Sequence, residues 1–179
     1  MSETVTLRVQ GNGTLQGWES VTGATYAWQA VDDSDGTTHD SDSTYLVLPR
    51  GVLPQGIVSF PLFYQCDPGQ ILSVTLNVAA KIDTNTPEVQ IGFHKGGSQA
   101  FHGTTFTPTG SYTVASRTFT TNPITGAAWV PTDIVGMEAC VKMVVPLVAK
   151  ARITLISGSM SAAMPTNRLR RPDDRWVTA

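Results

Sequence analysis

The chain has 179 residues, 41% of them hydrophobic and 15% charged, with a formal net charge of -2. That length suits one domain able to bury roughly 70% of its extended surface, so disulfides and metals are not needed for stability. The charge balance excludes the broad basic face of a phosphate-binding protein, and no apolar run approaches the roughly 20 residues that cross a bilayer, so neither nucleic acid nor membrane is expected as a partner.

The 16 Gly and 11 Pro, with many Ser and Thr, break the hydrophobic residues into short runs, as in an all-β chain that turns often. The start Met1-Ser2-Glu3 lacks the basic region of a secretory leader, which predicts a protein made and kept in a cytosol. Cys66 and Cys140 form no C-x-x-C pair and are expected to be free, buried thiols.

The first strand is predicted at 5–9, where Val5, Leu7 and Val9 alternate with Thr6 and Arg8. A second is predicted at 26–31, with Trp28 in mid-strand beside Ala30 and directed to the core. Asp32, Asp33, Asp35, Asp40 and Asp42 follow in a polar loop. Calcium needs converging oxygens, but Gly36 comes too early for an EF-hand and no Glu closes the loop, so a solvated turn is predicted. Strands are next expected at 45–48 and 58–62, the latter with Pro61 marking an edge or a bulge.

The clearest strand is 72–81: Leu72, Val74, Leu76, Val78 and Ala80 alternate with Ser73, Thr75, Asn77, Ala79 and Lys81, which predicts a central position. Strands at 89–93, 112–119, 139–145 and 153–155 complete the expected nine, with 92–110 an irregular insertion and 131–135 a single helical turn capped by Thr132 or Asp133. Many short strands without crossover helices predict two packed antiparallel sheets, a jelly-roll-like β-sandwich over 1–164. From Pro165 onward the pattern stops. Residues 165–179 form an extended basic arm carrying Arg168, Arg170, Arg171 and Arg175 against Asp173 and Asp174, on a body of charge -4.

No residue cluster announces a reaction. His39, His94 and His102 show no metal-ligand spacing and are predicted to be surface or loop residues, and no nucleophile elbow or P-loop is present, so no metal or cofactor is expected. A glycosidase would need two facing carboxyls, for which Glu19, Glu88 and Glu138 are the available acids. Trp18 and Trp129 lie beside loops, where a ring either stacks on a sugar or packs at an edge. Trp176 stands alone among arginines, so Arg168, Leu169, Arg170, Arg171, Arg175 and Trp176 are read as a docking surface for a partner.

Trp28 before the Asp-rich loop, Ser43-Thr44-Tyr45-Leu46, Val58-Ser59-Phe60, the run from Ile71 to Val78, the stretch from Asn122 to Trp129 and a closing Ala151-Arg152-Ile153-Thr154 strand follow one another in an order that resembles jelly-roll proteins of tailed-bacteriophage virions. The likeness spans residues 18–160. It implies a non-enzymatic structural subunit, foremost a capsid decoration or cement protein, in the virion and commonly trimeric. Its partners would be the major capsid protein, or another virion protein, and further copies of itself. The alternative is a receptor- or glycan-binding module of a tail or fibre, and a carbohydrate-active enzyme comes third.

Overall fold

Alternation of apolar and polar residues sets most elements of the fold. A computed structural model describes residues 2–32, 42–48, 57–63, 70–145, 149–163, 168–170 and 176–178. The strands are β1 (Ser2–Val9), β2 (Ser20–Thr22), β3 (Tyr45–Leu48), β4 (Ile57–Phe63), β5 (Gln70–Thr84), β6 (Glu88–Lys95), β7 (Ser98–Phe101), β8 (Thr113–Phe119), β9 (Glu138–Val145), β10 (Lys150–Ala163), β11 (Arg168–Arg170) and β12 (Trp176–Thr178). A 3-10 turn (Ala27–Ala30) and one helical turn, α1 (Pro131–Ile134), interrupt them.

All strand pairs are antiparallel, and β10 is the spine of the first layer. β5 pairs along its length, from Lys150↔Thr84 to Ala163↔Gln70, and β8 extends the sheet beyond β5. On the other edge β10 is shared, with β3 pairing at Ala151 to Ile153 and β1 from Gly158 to Ala163. The gap between them is filled by Val31 and Asp32: Ile156 N–H donates to Val31 O at 2.9 Å, and Asp32 bridges Leu155. β1 then changes layer. Its Arg8 and Val9 pair with Phe63 and Leu62 of β4, and the second layer continues through β9 and β6 to β7.

A strand that switches sheets makes the corner of a sandwich. Leu7, Leu76, Ile156 and Met160 from the first layer meet Val58, Phe60, Ile91, Phe93 and Val141 from the second in one buried cluster. The all-β antiparallel sandwich predicted from composition and periodicity is therefore the fold observed.

Several local expectations are corrected. Leu72 was predicted inward but is 44% exposed, while Ile71 is 3% exposed. Ser73 pairs with Ser161 and Ile71 with Ala162, so Leu72 is the extra residue of a bulge, and the alternation changes phase there. Residues 27–30 form a 3-10 turn instead of a strand. The Gln29 side chain accepts the Tyr26 N–H at 3.0 Å, and Ala27 and Ala30, three apart, are the buried pair. The 92–110 insertion is partly regular, because β6 and β7 form a hairpin across Gly96-Gly97. At α1 the cap position is Val130, whose N–H is held by the Asp133 carboxylate at 3.0 Å.

Pro61 lies within the sheet, between β1 and β9. Its carbonyl accepts the Gln10 N–H at 3.4 Å where the 10–14 chain starts to bulge away, so the missing donor is tolerated. In the C-terminal arm, backbone pairs Arg168↔Thr178, Leu169↔Val177 and Arg170↔Trp176 join β11 and β12 in a ribbon of their own, where no strand pattern was expected. The side chains proposed for partner docking there, with Arg171 and Arg175, lie outside the described residues.

The outward face of the first layer is rich in hydroxyls. Thr6, Ser159, Thr75 and Thr118 are aligned across β1, β10, β5 and β8, and Thr75 and Thr118 share a hydrogen bond of 2.8 Å. Arg8 follows Thr6 on the same face of β1.

Candidate ligand-binding cleft

The cleft opens where β1 leaves the first layer. Arg8 stands exposed at the outward end of that strand, and the bridge to Leu155 places Asp32 on the β10 edge. Trp28 is half-buried on the 3-10 turn and packs against the core. Together with Val9, Gln10 and Gly11 these residues line a cleft of about 270 Å³. Gly11 has φ +92, in the left-handed region that side chains rarely adopt, which lets the chain turn off the β4 edge directly after Gln10.

The bulge that follows is fastened at successive residues. The Asn12 side-chain oxygen accepts the Trp28 backbone N–H at 3.1 Å, tying the 3-10 turn to the bulge. Gly13 N–H donates to Ser59 O at 3.0 Å, and a Cβ at residue 13 would fall 2.2 Å from that oxygen, so only glycine fits. Thr14 donates its backbone N–H and its hydroxyl to Glu138 Oε1, at 3.0 and 2.8 Å.

Glu138 is the centre of this fastening. Pairing of Pro61 and His94 with Glu138 across three strands puts the acid on the outward face of the second layer. Its Oε2 accepts from Ser59 Oγ at 2.6 Å and from His94 Nδ1 at 2.8 Å, and Ser59 Oγ accepts the Leu15 N–H at 3.0 Å. An ionised carboxylate only accepts, so His94 carries its proton on Nδ1. Burial pushes the Glu138 carboxyl up, but the hydrogen bonds from Ser59, Thr14 and His94 more than offset it, leaving the group below the ordinary carboxylate range.

This cluster holds structure; it does not assemble a nucleophile. The Ser59 hydroxyl is directed at the acid and not at the imidazole, and a carboxylate held below the ordinary range is a weak base for activating it. Neighbouring Cys140 is fully buried, and burial, with the Glu138 charge adding to it, pushes its thiol up and away from the reactive thiolate.

The cleft itself offers recognition chemistry. Among its lining residues Trp28 carries an aromatic ring, Arg8 a forked set of donors, and Gln10 both a donor and an acceptor. Such a set suits a ring with an apolar face and a hydroxyl rim.

The residues singled out in the sequence fall elsewhere. Trp129 is 2% exposed, donates Nε1–H to Phe119 O at 2.9 Å and meets the Phe93 ring edge-on, so it is core and presents no platform to a sugar. Trp18 is half-buried and stacks on core Phe60, with centroids 6.4 Å apart. His94, expected at the surface, is 4% exposed in the Glu138 network. Glu19 pairs with Lys150, and Glu88 accepts from Thr105.

Of the five loop aspartates, Asp42 is committed to protein partners, accepting from Lys81 at 2.7 Å, Arg152 at 3.0 Å and Tyr112 at 3.2 Å. The Lys81 hydrogen bond is foremost in holding its carboxyl below the ordinary range. Asp33, Asp35 and Asp40 lie outside the described residues.

Trp28, Arg8, Gln10 and Glu138 were not anticipated as a unit. The signal present was the Gly11-Asn12-Gly13-Thr14 run directly after a strand, a turn composition with side-chain caps.

No protein-family model matches the chain, and no curated protein matches it. Among solved structures it is similar to the CBM22-1 xylan-binding domain from Paenibacillus barcinonensis Xyn10C, with TM-score 0.46 and 11% identity over 88% of this chain and 94% of that one. It is also similar to the N-terminal cellulose-binding domain from Cellulomonas fimi β-1,4-glucanase C, with TM-score 0.42 and 14% identity over 86% of this chain and 93% of that one.

Proposed function

We propose that the chain is a non-catalytic glycan-binding module whose ligand enters the cleft beside Trp28. The observation that carries this reading is half-buried Trp28 lining a cleft of about 270 Å³ together with Arg8, Gln10 and Asp32. A cavity just below the roughly 300 Å³ at which drug-sized pockets begin has room for a sugar ring or two. The glycan alternative thus takes precedence over capsid decoration, because the described residues form a cleft whose lining suits a ring with hydroxyls. It also moves the aromatic contact from Trp18 and Trp129 to Trp28. A binding role without catalysis is supported by the carboxylates of Glu19 and Glu138, each engaged by protein donors.

Calorimetric titration with cellohexaose, xylohexaose and maltohexaose tests the reading. At least one binds saturably to the full chain. Trp28→Ala lowers that affinity tenfold or more, about 1.4 kcal/mol, while Trp18→Ala leaves it within about twofold, or 0.4 kcal/mol on the same scale. Binding that survives Trp28→Ala, or no binding across the panel, overturns it.

A further inference from the structure

We propose that Glu138, on the outward face of the second layer and outside the lining of the cleft, is its positioning residue: through Thr14 it holds the 10–14 bulge and thereby sets where Trp28 stands. The inference deepens the glycan-binding reading and rests on it for the ligand, although the mechanical coupling stands independently. The path is short and runs through hydrogen bonds and adjacent residues. Glu138 Oε1 accepts the backbone N–H and hydroxyl of Thr14 at 3.0 and 2.8 Å. Between Gln10 N–H on Pro61 O and Gly13 N–H on Ser59 O, the chain carries Gly11 and Asn12 off the β4 edge. Gln10 and Gly11 line the cleft, and Asn12 accepts the Trp28 N–H at 3.1 Å.

A carboxylate 12% exposed, facing outward from a sheet under a glycine-lined bulge, is costly unless it is fully hydrogen-bonded. Here both oxygens are engaged, and the donors come from three separate parts of the chain: the bulge, β4 and β6. The titratable groups facing it are His94 from β6 and Cys140 from its own strand, with Lys142 one step further along that face. Among the described residues β4 and the bulge contribute hydroxyls and backbone only. Such a group acts as a clamp on the bulge, and the bulge is what the cleft and the Trp28 turn share.

The test reads the coupling first without any ligand. Amide hydrogen exchange followed by NMR on the full chain shows the Trp28 N–H protected in the wild type. In Glu138→Ala its protection falls about tenfold or more, while that of Ile91 in the core is unchanged. Glu138→Gln keeps an oxygen for Thr14 and retains protection within about threefold. Thr14→Val, at an exposed position, gives an intermediate loss and serves if Glu138→Ala does not fold.

Calorimetry with whichever of the three hexasaccharides binds the wild type follows the same ranking: tenfold or greater loss for Ala, about threefold or less for Gln. Unchanged Trp28 protection in Glu138→Ala, or in Thr14→Val where Ala fails to fold, overturns the proposal. Absence of binding by the wild type overturns the glycan reading while leaving the coupling result standing.

Discussion

Gly13 and Glu138 do at single positions what the surrounding sheet does not. Gly13 brings one backbone against another: its Cα lies so near β4 that a methyl group would sit 2.2 Å from Ser59 O and 2.7 Å from Ser59 Oγ. Gly13→Ala therefore forces the bulge off β4, with an expected destabilisation of about 1–3 kcal/mol by urea denaturation, the range for overpacked sites. For Glu138 the sign of the pH effect follows from its depressed ionisation. A carboxyl held below its unfolded value of about 4.3 contributes its full stability above that pH and loses it as pH falls through the folded value. The stability gap between wild type and Glu138→Gln is thus widest near neutrality and shrinks on acidification below about pH 4; a gap that does not change with pH contradicts the assignment. The sequence displays Glu138 only as one acid among fourteen, and nothing local to it marks the role. Its partners come from residues 14, 59 and 94, brought together by strand pairing alone.

At the scale of elements, β5 shows both the reach and the limit of periodicity. Its alternation is legible from Val74 to Ala80, and Val74, Leu76, Val78 and Ala80 face the core as expected. The phase at Leu72 is not legible, because nothing local marks it as the residue that β10 skips in pairing. The contrast is measurable: Ile71→Ala costs about 2–5 kcal/mol as a buried large-to-small change, whereas Leu72→Ser stays within about 0.5 kcal/mol as a surface change. Equal losses at the two positions would contradict the bulge. The 26–31 stretch failed for a different reason. Ala27 and Ala30 fit a three-residue period as readily as Trp28 and Ala30 fit a two-residue one, and the side chain of Gln29 closing on Tyr26 N–H decides for the turn. That decision moves Trp28 from a core position to the wall of the cleft.

Across the whole molecule, antiparallel pairing and a two-layer core were readable from composition and spacing, since nearly every long strand alternates. The switch of β1 between layers was not, because Thr6-Leu7-Arg8-Val9 continues the same alternation through the change of partner, and the cleft exists only because of that change. The C-terminal ribbon pairs within itself, β11 on β12, and no pairing with the ten-stranded sheet is present among the described residues. Truncation after Met164 is accordingly expected to leave the melting temperature within about 2 °C, less than 1 kcal/mol for a domain of this size. A larger fall by calorimetry would mean that the arm belongs to the fold.

The glycan reading is tested most directly by mapping amide shifts of the isotope-labelled full chain during titration with cellohexaose, xylohexaose and maltohexaose. The cleft predicts that one of these shifts Arg8, Gly11, Trp28 and Asp32 together and saturably, with Trp129 and the Phe93 edge of the core unmoved. Shifts confined to any other face, or none with all three sugars, would contradict it.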